Sequence, residues 1–238
     1  MKQYTLEQFK TKLNKIYCCD CLKGMIAIPD SSIDLVITDP PYLINYRSNR
    51  RKNKEDRFNY IKNDDKDNNE LIEIFMRESY RILKKNTAIY IFCSWHNIDF
   101  FKKLFEKYFK MKNLIVWNKN NHGSGDLRGS YAPKHELILF GHKGRSLLRN
   151  KRISDVIDFD KISSKRLKHP TEKPLGLLEI FIEKSSDKGS IILDPFIGSG
   201  TTAIACKKLH RNFIGFEISQ EYVDITNKRL VQLKEKKI

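Results

Sequence analysis

A short turn in the first quarter of the chain combines residue types that suit chemistry on an amino group. It follows an apolar strand candidate at residues 33–38 and reads Asp39-Pro40-Pro41-Tyr42. Ligands of open α/β sheets bind beyond the carboxyl ends of strands, so this turn would face a ligand crevice. The prolines stiffen the turn and remove their backbone N–H groups. The Asp39 carboxylate and the Pro40 carbonyl therefore remain as fixed hydrogen-bond acceptors.

Two fixed acceptors match the two hydrogens of an amino group on a planar ring. Holding both hydrogens favours a pyramidal nitrogen whose lone pair is free to attack, which is catalysis by positioning and electrostatic preorganisation. Tyr42 offers an aromatic face for an unstacked base, and a base in a duplex would have to be flipped out to reach it. The alternative is a tight turn that only ends a strand.

A second turn, rich in glycine, follows the strand candidate at residues 190–193 and precedes a helical segment. Its residues are Asp194, Pro195, Phe196, Ile197, Gly198, Ser199, Gly200, Thr201 and Thr202. The glycines let the backbone approach a ligand at a helix N-terminus. The third glycine of the dinucleotide fingerprint is absent, and no lysine follows as in a P-loop. Glu217, which follows the next strand candidate, suits ribose hydroxyls. The pattern predicts a nucleoside site; a plain loop and a helix-capping Glu217 are the alternatives.

Apolar runs and helical periodicities alternate along the chain. Strand candidates lie at residues 16–19, 33–38, 88–93, 114–117, 136–140, 190–193 and 212–216. Helical candidates lie at residues 72–83, 98–109, 175–184 and 201–209, and another begins near Ser219. Strands that alternate with helices predict a mainly parallel, doubly wound α/β sheet. Polar segments at residues 43–69 and 118–132 interrupt the alternation, and loops of this length in a domain are usually functional or disordered.

Charge and length narrow the choice of function. The chain has 238 residues, which suits one large α/β domain. It carries 45 Lys and Arg against 29 Asp and Glu, a formal net charge of +16. Such an excess suits a polyanionic partner, although a lysine-rich proteome or solvated loops would give the same composition. Basic residues crowd positions 47–57 and 145–168, where DNA-facing loops would interrupt the fold.

Neither a membrane segment nor a metal site is expected. No apolar run approaches the roughly 18–20 residues of a transmembrane helix, and residues 1–15 lack the apolar stretch of a signal peptide. We therefore expect a cytoplasmic protein with no membrane partner. The cysteines are expected to be reduced structural thiols, because no second cluster completes a metal site. They are Cys18, Cys19, Cys21, Cys93 and Cys206.

The two motifs, in this order, resemble the β class of amino methyltransferases, which are S-adenosylmethionine-dependent DNA methylases often partnered with restriction enzymes. The resemblance covers residues 15–233 and rests on Asp-Pro-Pro-Tyr early in the chain and Asp-Pro-Phe-x-Gly-Ser-Gly-Thr-Thr late in it. It implies a single Rossmann-like methyltransferase domain, residues 1–238, with a circularly permuted motif order. Its sheet would have seven strands, mostly parallel with one antiparallel, and the glycine-rich turn would follow the sixth.

The resemblance also implies roles for individual residues. The catalytic residues would be Asp39, Pro40, Pro41 and Tyr42. A short acidic motif would place Asp20 near the adenine of the cofactor, and Lys173 would lie near its methionine end; the alternative for Lys173 is an exposed lysine at a helix start. The implied cofactor-binding residues are Asp20, Cys21, Asp39, Lys173, Asp194, Pro195, Phe196, Gly198, Ser199, Gly200, Thr201, Thr202 and Glu217.

Target recognition would lie at about residues 120–168, and a mobile loop at about residues 43–69. The candidates for contact with double-stranded DNA are Arg47, Arg50, Arg51, Asn121, His122, Arg128, Lys165 and Arg166. A homodimer, a cognate restriction enzyme or a specificity subunit would be a further partner. For Trp95, His96 and Trp117, a role in packing or loop structure is expected instead of one in catalysis.

Adenine N6 is the expected target, because within the class an aspartate at the head of the tetrapeptide leans to adenine and a serine to cytosine. A cytosine N4 methylase, an RNA or protein-glutamine methyltransferase and a DNA-binding protein without catalysis are the alternatives. Cytosine C5 methylation is disfavoured, because it requires a nucleophilic cysteine, typically after proline, and the chain has no Pro-Cys pair.

Overall fold

An eight-stranded sheet forms the centre of the computed structural model, which describes residues 12–44, 68–122, 128–162 and 172–235. The strands are β1 (Lys15–Cys18), β2 (Ile33–Thr38), β3 (Leu83–Cys93), β4 (Lys110–Asn118), β5 (His135–Lys143), β6 (Val156–Asp158), β7 (Ile191–Asp194) and β8 (Asn212–Glu217). The helices are α1 (Cys21–Ile26), α2 (Asn69–Ile82), α3 (Ile98–Tyr108), α4 (Leu175–Ser185), α5 (Thr201–Lys208) and α6 (Gln220–Glu235), and a 3-10 turn spans Trp95–Asn97. Each predicted strand overlaps one of these strands.

The strand order across the sheet is β1-β8-β7-β2-β3-β5-β4-β6. Strand β5 runs antiparallel to both of its neighbours, β3 and β4, and the other pairings are parallel. The predicted α/β sheet, mostly parallel with one antiparallel strand, is therefore confirmed. Because β5 is reversed, its first residues lie at the same edge of the sheet as the last residues of β2 and β3.

The strand count differs from the expected seven because of β6, a three-residue strand at the edge of the sheet. It pairs with β4, where Val156 is opposite Val116 and Asp158 is opposite Asn118. A strand this short shows no readable alternation, and backbone pairing with β4 decides its conformation. It lies inside the region predicted for target recognition, and it makes the glycine-rich strand seventh in chain order instead of sixth.

Helices cover both faces of the sheet, which explains why its central strands are continuous apolar runs. On one face, Phe75 of α2 and Phe101 of α3 are fully buried in a cluster that includes Val36 of β2. On the other face, Phe181 of α4 packs in a cluster that includes Leu35. Burying a side chain of this size contributes about 1.5–3 kcal/mol, so the two clusters hold the strand ends in place.

Helix α1 is an element that the periodicities did not predict. It spans only Cys21–Ile26, and it begins there because Oδ1 of Asp20 accepts hydrogen bonds from the backbone N–H groups of Leu22 and Lys23. Six residues are too few to display a helical repeat. Within the described ranges, no helix is long and apolar enough to cross a membrane.

Candidate functional site

Four acidic residues lie at the ends of four neighbouring parallel strands. Asp20 follows β1, Glu217 ends β8, Asp194 ends β7 and Asp39 follows β2. The carboxyl ends of parallel strands lie at one edge, where open α/β sheets bind ligands. The fold therefore brings both predicted motifs and the acidic Asp20 to one edge.

Asp194 joins the two motifs through its carboxylate. Its Oδ1 accepts hydrogen bonds from the Thr38 hydroxyl at 2.7 Å and from the Phe196 N–H at 3.2 Å. Its Oδ2 accepts from the Thr202 hydroxyl at 2.6 Å. Burial raises the pKa of Asp194 to about 6, against the opposing effect of these hydrogen bonds. Asp194 therefore links the glycine-rich turn to the last residue of β2 through hydrogen bonds.

The glycine-rich turn requires glycine at its bend. Gly200 has φ +82°, and a Cβ there would lie 1.9 Å from Cγ2 of Thr226 in α6. Arg229 of the same helix donates to the Ser199 carbonyl at 2.6 Å. Close packing of α6 therefore fixes the shape of the turn. Helix α5 begins directly after it, at Thr201, so the N-terminus of α5 faces the ligand edge.

Glu217 connects β8 to the glycine-rich turn. Its Oε2 accepts from the N–H of Gly198 at 3.0 Å, and its Oε1 accepts from the N–H of Ser219 at 2.8 Å. The backbone carbonyl of Glu217 accepts from the N–H of Cys19 at 3.0 Å, which places the acidic motif containing Asp20 beside it. Three of the implied cofactor segments are thus neighbours at the ends of β1, β8 and β7.

The catalytic candidate Asp39 lies between Tyr42 and Lys173. Its Oδ1 accepts a hydrogen bond from the Tyr42 hydroxyl at 2.5 Å, and its Oδ2 is 2.5 Å from Nζ of Lys173. The Lys173 side chain is only 7% exposed. Lys173 is therefore not an exposed lysine at a helix start. Pro40 and Pro41, the middle residues of the turn, are buried, and their rings restrict its backbone.

Glu136, the second residue of β5, completes this cluster and was not predicted. Its Oε2 is 3.3 Å from Nζ of Lys173, and its Oε1 is 2.5 Å from Nζ of Lys119. Glu136 also lies 3.5 Å from the Tyr42 hydroxyl. The only signal in the sequence is an acid at the start of an otherwise apolar run. Its proximity to Asp39 follows from the reversed direction of β5.

Burial and neighbouring charges set the protonation of this cluster. Burial, together with the charge of Asp39, raises the pKa of Tyr42, which is thus a neutral donor. Burial also raises the pKa of Asp39, although Lys173 opposes the effect. Burial alone would raise the pKa of Glu136, but the ammonium groups of Lys173 and Lys119 lower it. Burial would lower the pKa of Lys173, but Asp39 and Glu136 raise it, so it is an ammonium ion.

Asn97 holds the far end of the Asp39–Tyr42 turn, and it too was not predicted. Its side-chain amide donates to the carbonyl of Tyr42 at 2.8 Å and to that of Leu43 at 3.1 Å. Leu43 is buried and has φ 60°, a left-handed conformation that is unusual for leucine. The two hydrogen bonds therefore support a strained backbone directly after the tetrapeptide.

The predicted DNA contacts fall into two groups. Asn121 and His122 are exposed and follow β4, whose carboxyl end lies at the same edge of the sheet as Asp39, and Arg128 is also exposed. The other candidates lie outside the described residues, as does most of the loop at 43–69; they are Arg47, Arg50, Arg51, Lys165 and Arg166.

Trp95 and Trp117, for which packing or loop roles were expected, differ in exposure. Trp117 is 2% exposed and donates its indole N–H to the Phe159 carbonyl at 2.7 Å, which confirms a packing role. Trp95 is 54% exposed and stacks on His96, with 3.9 Å between ring centroids. Both belong to the Trp95–Asn97 turn that follows β3, so they are close in sequence to Asn97, which binds the carbonyls of Tyr42 and Leu43.

The cysteines form no disulfide bond. Burial raises the pKa of Cys19 to about 11 and that of Cys93 to about 12, so both are protonated thiols. Cys21 is buried as the first residue of α1. In the parts of the chain that the structure describes, no group of three His, Cys, Asp or Glu side chains is placed to hold a metal ion.

Known proteins resemble this chain over most of its length. Residues 33–228 match the model of a family described as DNA methylase. The type II methyltransferase M.HpaI of Haemophilus parainfluenzae is 33% identical in an alignment that is 244 residues long. The alignment covers 91% of this chain and 74% of that protein. The solved structure of the M1.HpyAVI-SAM complex has a TM-score of 0.68 at 29% identity, covering 91% of this chain and 98% of the other.

A further solved structure, the cytosine-N4-specific PvuII DNA methyltransferase, has a TM-score of 0.73 and covers 92% of this chain and 89% of its own. Its sequence identity is 16%, so the likeness concerns the fold alone. The architecture described above is thus shared by DNA methyltransferases of low sequence similarity.

Proposed function

Because the chain belongs to the DNA methylase family, we propose that it transfers a methyl group from S-adenosylmethionine to N6 of an adenine flipped out of double-stranded DNA. The observation that carries this proposal is the contact between the two motifs. The Thr38–Asp194 hydrogen bond of 2.7 Å holds the Asp39–Tyr42 turn beside the glycine-rich turn. The proposed site for the amino group of the base and the proposed site for the nucleoside of the cofactor are thereby adjacent. Direct transfer between two bound molecules requires this.

The residues at the edge of the sheet fit S-adenosylmethionine. Gly198 and Gly200 carry no side chains, so the backbone of the turn can lie close to a nucleoside. Carboxylates at the ends of β1 and β8, Asp20 and Glu217, suit the hydroxyl and amino donors of adenosine. Lys173 would hold a carboxylate at the methionine end. Bound there, S-adenosylmethionine supplies an electrophilic methyl group on a sulfonium sulfur.

The Asp39–Tyr42 turn would bind and orient the target base. The Asp39 carboxylate and the Pro40 carbonyl accept hydrogen bonds from the amino hydrogens, and Tyr42 stacks on the ring. In this orientation the lone pair of the amino nitrogen would face the methyl group, which S-adenosylmethionine would supply with its sulfonium sulfur as the leaving atom. The methylated nitrogen loses one proton, for which the Asp39 carboxylate is the base placed nearest by this arrangement.

Adenine is preferred over cytosine because the tetrapeptide begins with Asp39. Within the class that the motifs resemble, aspartate at this position leans to adenine N6 and serine to cytosine N4. Cytosine N4 methylation remains the second candidate, since it would use the same fold, the same cofactor and the same two acceptors.

DNA would reach the site along the edge that carries Asn121, His122 and Arg128. Asparagine and arginine suit the edges of adenine and guanine, and the net charge of +16 favours binding to phosphates. We include residues 120–168 in the proposal as the target-recognition region. A second copy of the chain and a cognate restriction enzyme are proposed partners from the same resemblance.

Labelling identifies the product directly. The protein is incubated with unmethylated bacterial genomic DNA and methyl-labelled S-adenosylmethionine, and the DNA is digested to nucleosides. Labelled N6-methyladenine is expected, and its loss in Asp39→Ala would support the role of the turn. Asp187→Ala is the matched control, because that acid is 72% exposed and pairs with Arg149 away from the catalytic edge. Labelled N4-methylcytosine would overturn the choice of base, and no label on any DNA would overturn the proposal.

A further inference from the structure

Lys173 lies between two carboxylates, of which the proposed reaction uses only one. Its Nζ is 2.5 Å from Oδ2 of Asp39 and 3.3 Å from Oε2 of Glu136, and its side chain is 7% exposed. Both distances are within ion-pair range, but the shorter one is to the catalytic acid. The structure therefore shows a buried ammonium ion with a close partner and a second carboxylate within reach.

The close partner creates a conflict with binding of the target base. The two oxygens of Asp39 already accept hydrogen bonds, Oδ1 from Tyr42 and Oδ2 from Lys173. A charge-assisted bond from an ammonium is stronger than one from a neutral amino group. A carboxylate oxygen can accept a second hydrogen bond, but the nearby ammonium withdraws negative charge from Oδ2, so the amino group of the base would bind Asp39 more weakly while Lys173 holds it. Release of Lys173 would also make Asp39 a better acceptor.

Lys173 cannot leave Asp39 for an apolar environment, because an unpaired buried charge is strongly unfavourable. Its aromatic neighbours offer no full compensation, with the Phe92 ring centroid 5.1 Å from its Nζ. Glu136 offers a second negative charge a short distance away. Lys119 holds the other oxygen of Glu136 at 2.5 Å, so the carboxylate is fixed with Oε2 facing Lys173.

We propose that Glu136 is a positioning residue that takes over Lys173 when the amino group of the target base binds Asp39. The inference rests on the proposed function and extends it to a residue at the start of β5. Two lysines and two carboxylates, Lys119, Lys173, Asp39 and Glu136, keep the cluster neutral before and after the exchange. Glu136 acts through Lys173 and need not touch the base or the cofactor.

Glu136→Gln tests this role, because glutamine keeps the size of the side chain and removes its charge. We expect kcat for DNA methylation to fall about 10- to 100-fold, by analogy with the loss of hydrogen-bond partners behind metal ligands. With saturating cofactor, KM for DNA should change little, since the proposed role of Glu136 is to hold Lys173 and not to bind DNA. Glu179→Gln is the matched control: this glutamate is also 22% exposed and pairs with Lys208 between α4 and α5. Its kcat should be that of the wild type.

A double-mutant cycle with Lys173→Met separates action through Lys173 from an independent effect. The double variant should be no slower than Lys173→Met alone, because Glu136 has no role once the ammonium is absent. Losses that multiply would overturn the inference, as would wild-type kcat in Glu136→Gln. Thermal unfolding shows whether Lys173→Met folds. If it does not, the kcat of Glu136→Gln alone tests the role of Glu136.

The two proposals fail in different ways. A wild-type protein that methylates no DNA would overturn both the proposed function and this inference. A wild-type protein that methylates adenine, together with a fully active Glu136→Gln variant, would leave the proposed function standing and overturn the role of Glu136.

Discussion

The Thr38 hydroxyl donates a hydrogen bond to Oδ1 of Asp194 at 2.7 Å, between residues 156 positions apart in the chain. Thr38 is the last residue of β2 and Asp194 is the last residue of β7, and the two strands are neighbours in the sheet. The bond is buried. Because each residue immediately precedes or begins one of the motifs, this single contact sets the position of the acceptor turn relative to the glycine-rich turn.

Thr38→Val should therefore weaken both stability and catalysis. Valine has nearly the same shape but cannot donate, and a hydrogen bond to a charged group contributes about 1.5–3 kcal/mol. We expect a loss of that size in the free energy of unfolding, measured with urea, and a lower kcat. Thr87→Val is the control, since the Thr87 hydroxyl donates to an uncharged acceptor, the Lys84 carbonyl. An equal loss in both variants would contradict the importance given to Asp194.

The pH dependence of stability should report the buried state of Asp194. Its folded-state pKa, about 6, lies above the ordinary value of 3.8, so the folded protein binds the proton more tightly than the unfolded chain. The stability contribution of Asp194 is present below pH 3.8 and is lost as the pH rises towards 6. The difference in unfolding free energy between wild type and Asp194→Asn should change with pH in this window and be flat above it. A pH-independent difference would contradict the shift.

Gly200→Ala should disrupt the glycine-rich turn beyond the ordinary cost of a left-handed alanine. That conformation costs about 1–2 kcal/mol for a residue with a Cβ, and at Gly200 the new atom would also collide with Thr226 at 1.9 Å. Gly189→Ala isolates the cost of the left-handed conformation, because Gly189 has φ +84° and, apart from Gly189 and its two chain neighbours, no described residue has an atom within 4 Å of the point that its Cβ would occupy. Thermal unfolding should show a larger loss at Gly200, and calorimetry should show weaker cofactor binding only there. Equal losses of stability in the two variants would contradict the close contact between Gly200 and Thr226.

Asn97→Ala should lower kcat with little effect on cofactor affinity. The substitution removes the donors to the carbonyls of Tyr42 and Leu43, so the left-handed Leu43 would lose its support and the Asp39–Tyr42 turn would shift. Misplacement of about 1 Å can cost on the order of 100-fold in rate. Asn113→Ala is the control, because its amide bonds to Asp155 in an exposed position. Unchanged turnover in Asn97→Ala would show that the prolines alone hold the turn.

Much of the fold followed from local patterns in the sequence. Continuous apolar runs predicted the strands buried on both faces, and the two motifs marked two strand ends that lie side by side in the sheet. Short elements could not be predicted in the same way. Strand β6 and helix α1 have three and six residues, too few for a periodicity, and they form because of strand pairing with β4 and the Asp20 cap.

Residue types and their spacing are enough to identify the chemical groups of the candidate site: the Asp39–Pro40 acceptors, the Tyr42 ring, the glycines of the second turn and the acid at Glu217. The side chains that surround Asp39 are instead set by the tertiary structure. Lys173 reaches it across 134 positions of sequence, and Glu136 does so because β5 runs antiparallel and returns its first residues to the carboxyl edge of β2 and β3. Ion pairs between such distant residues depend on strand order and direction, which local residue patterns do not encode.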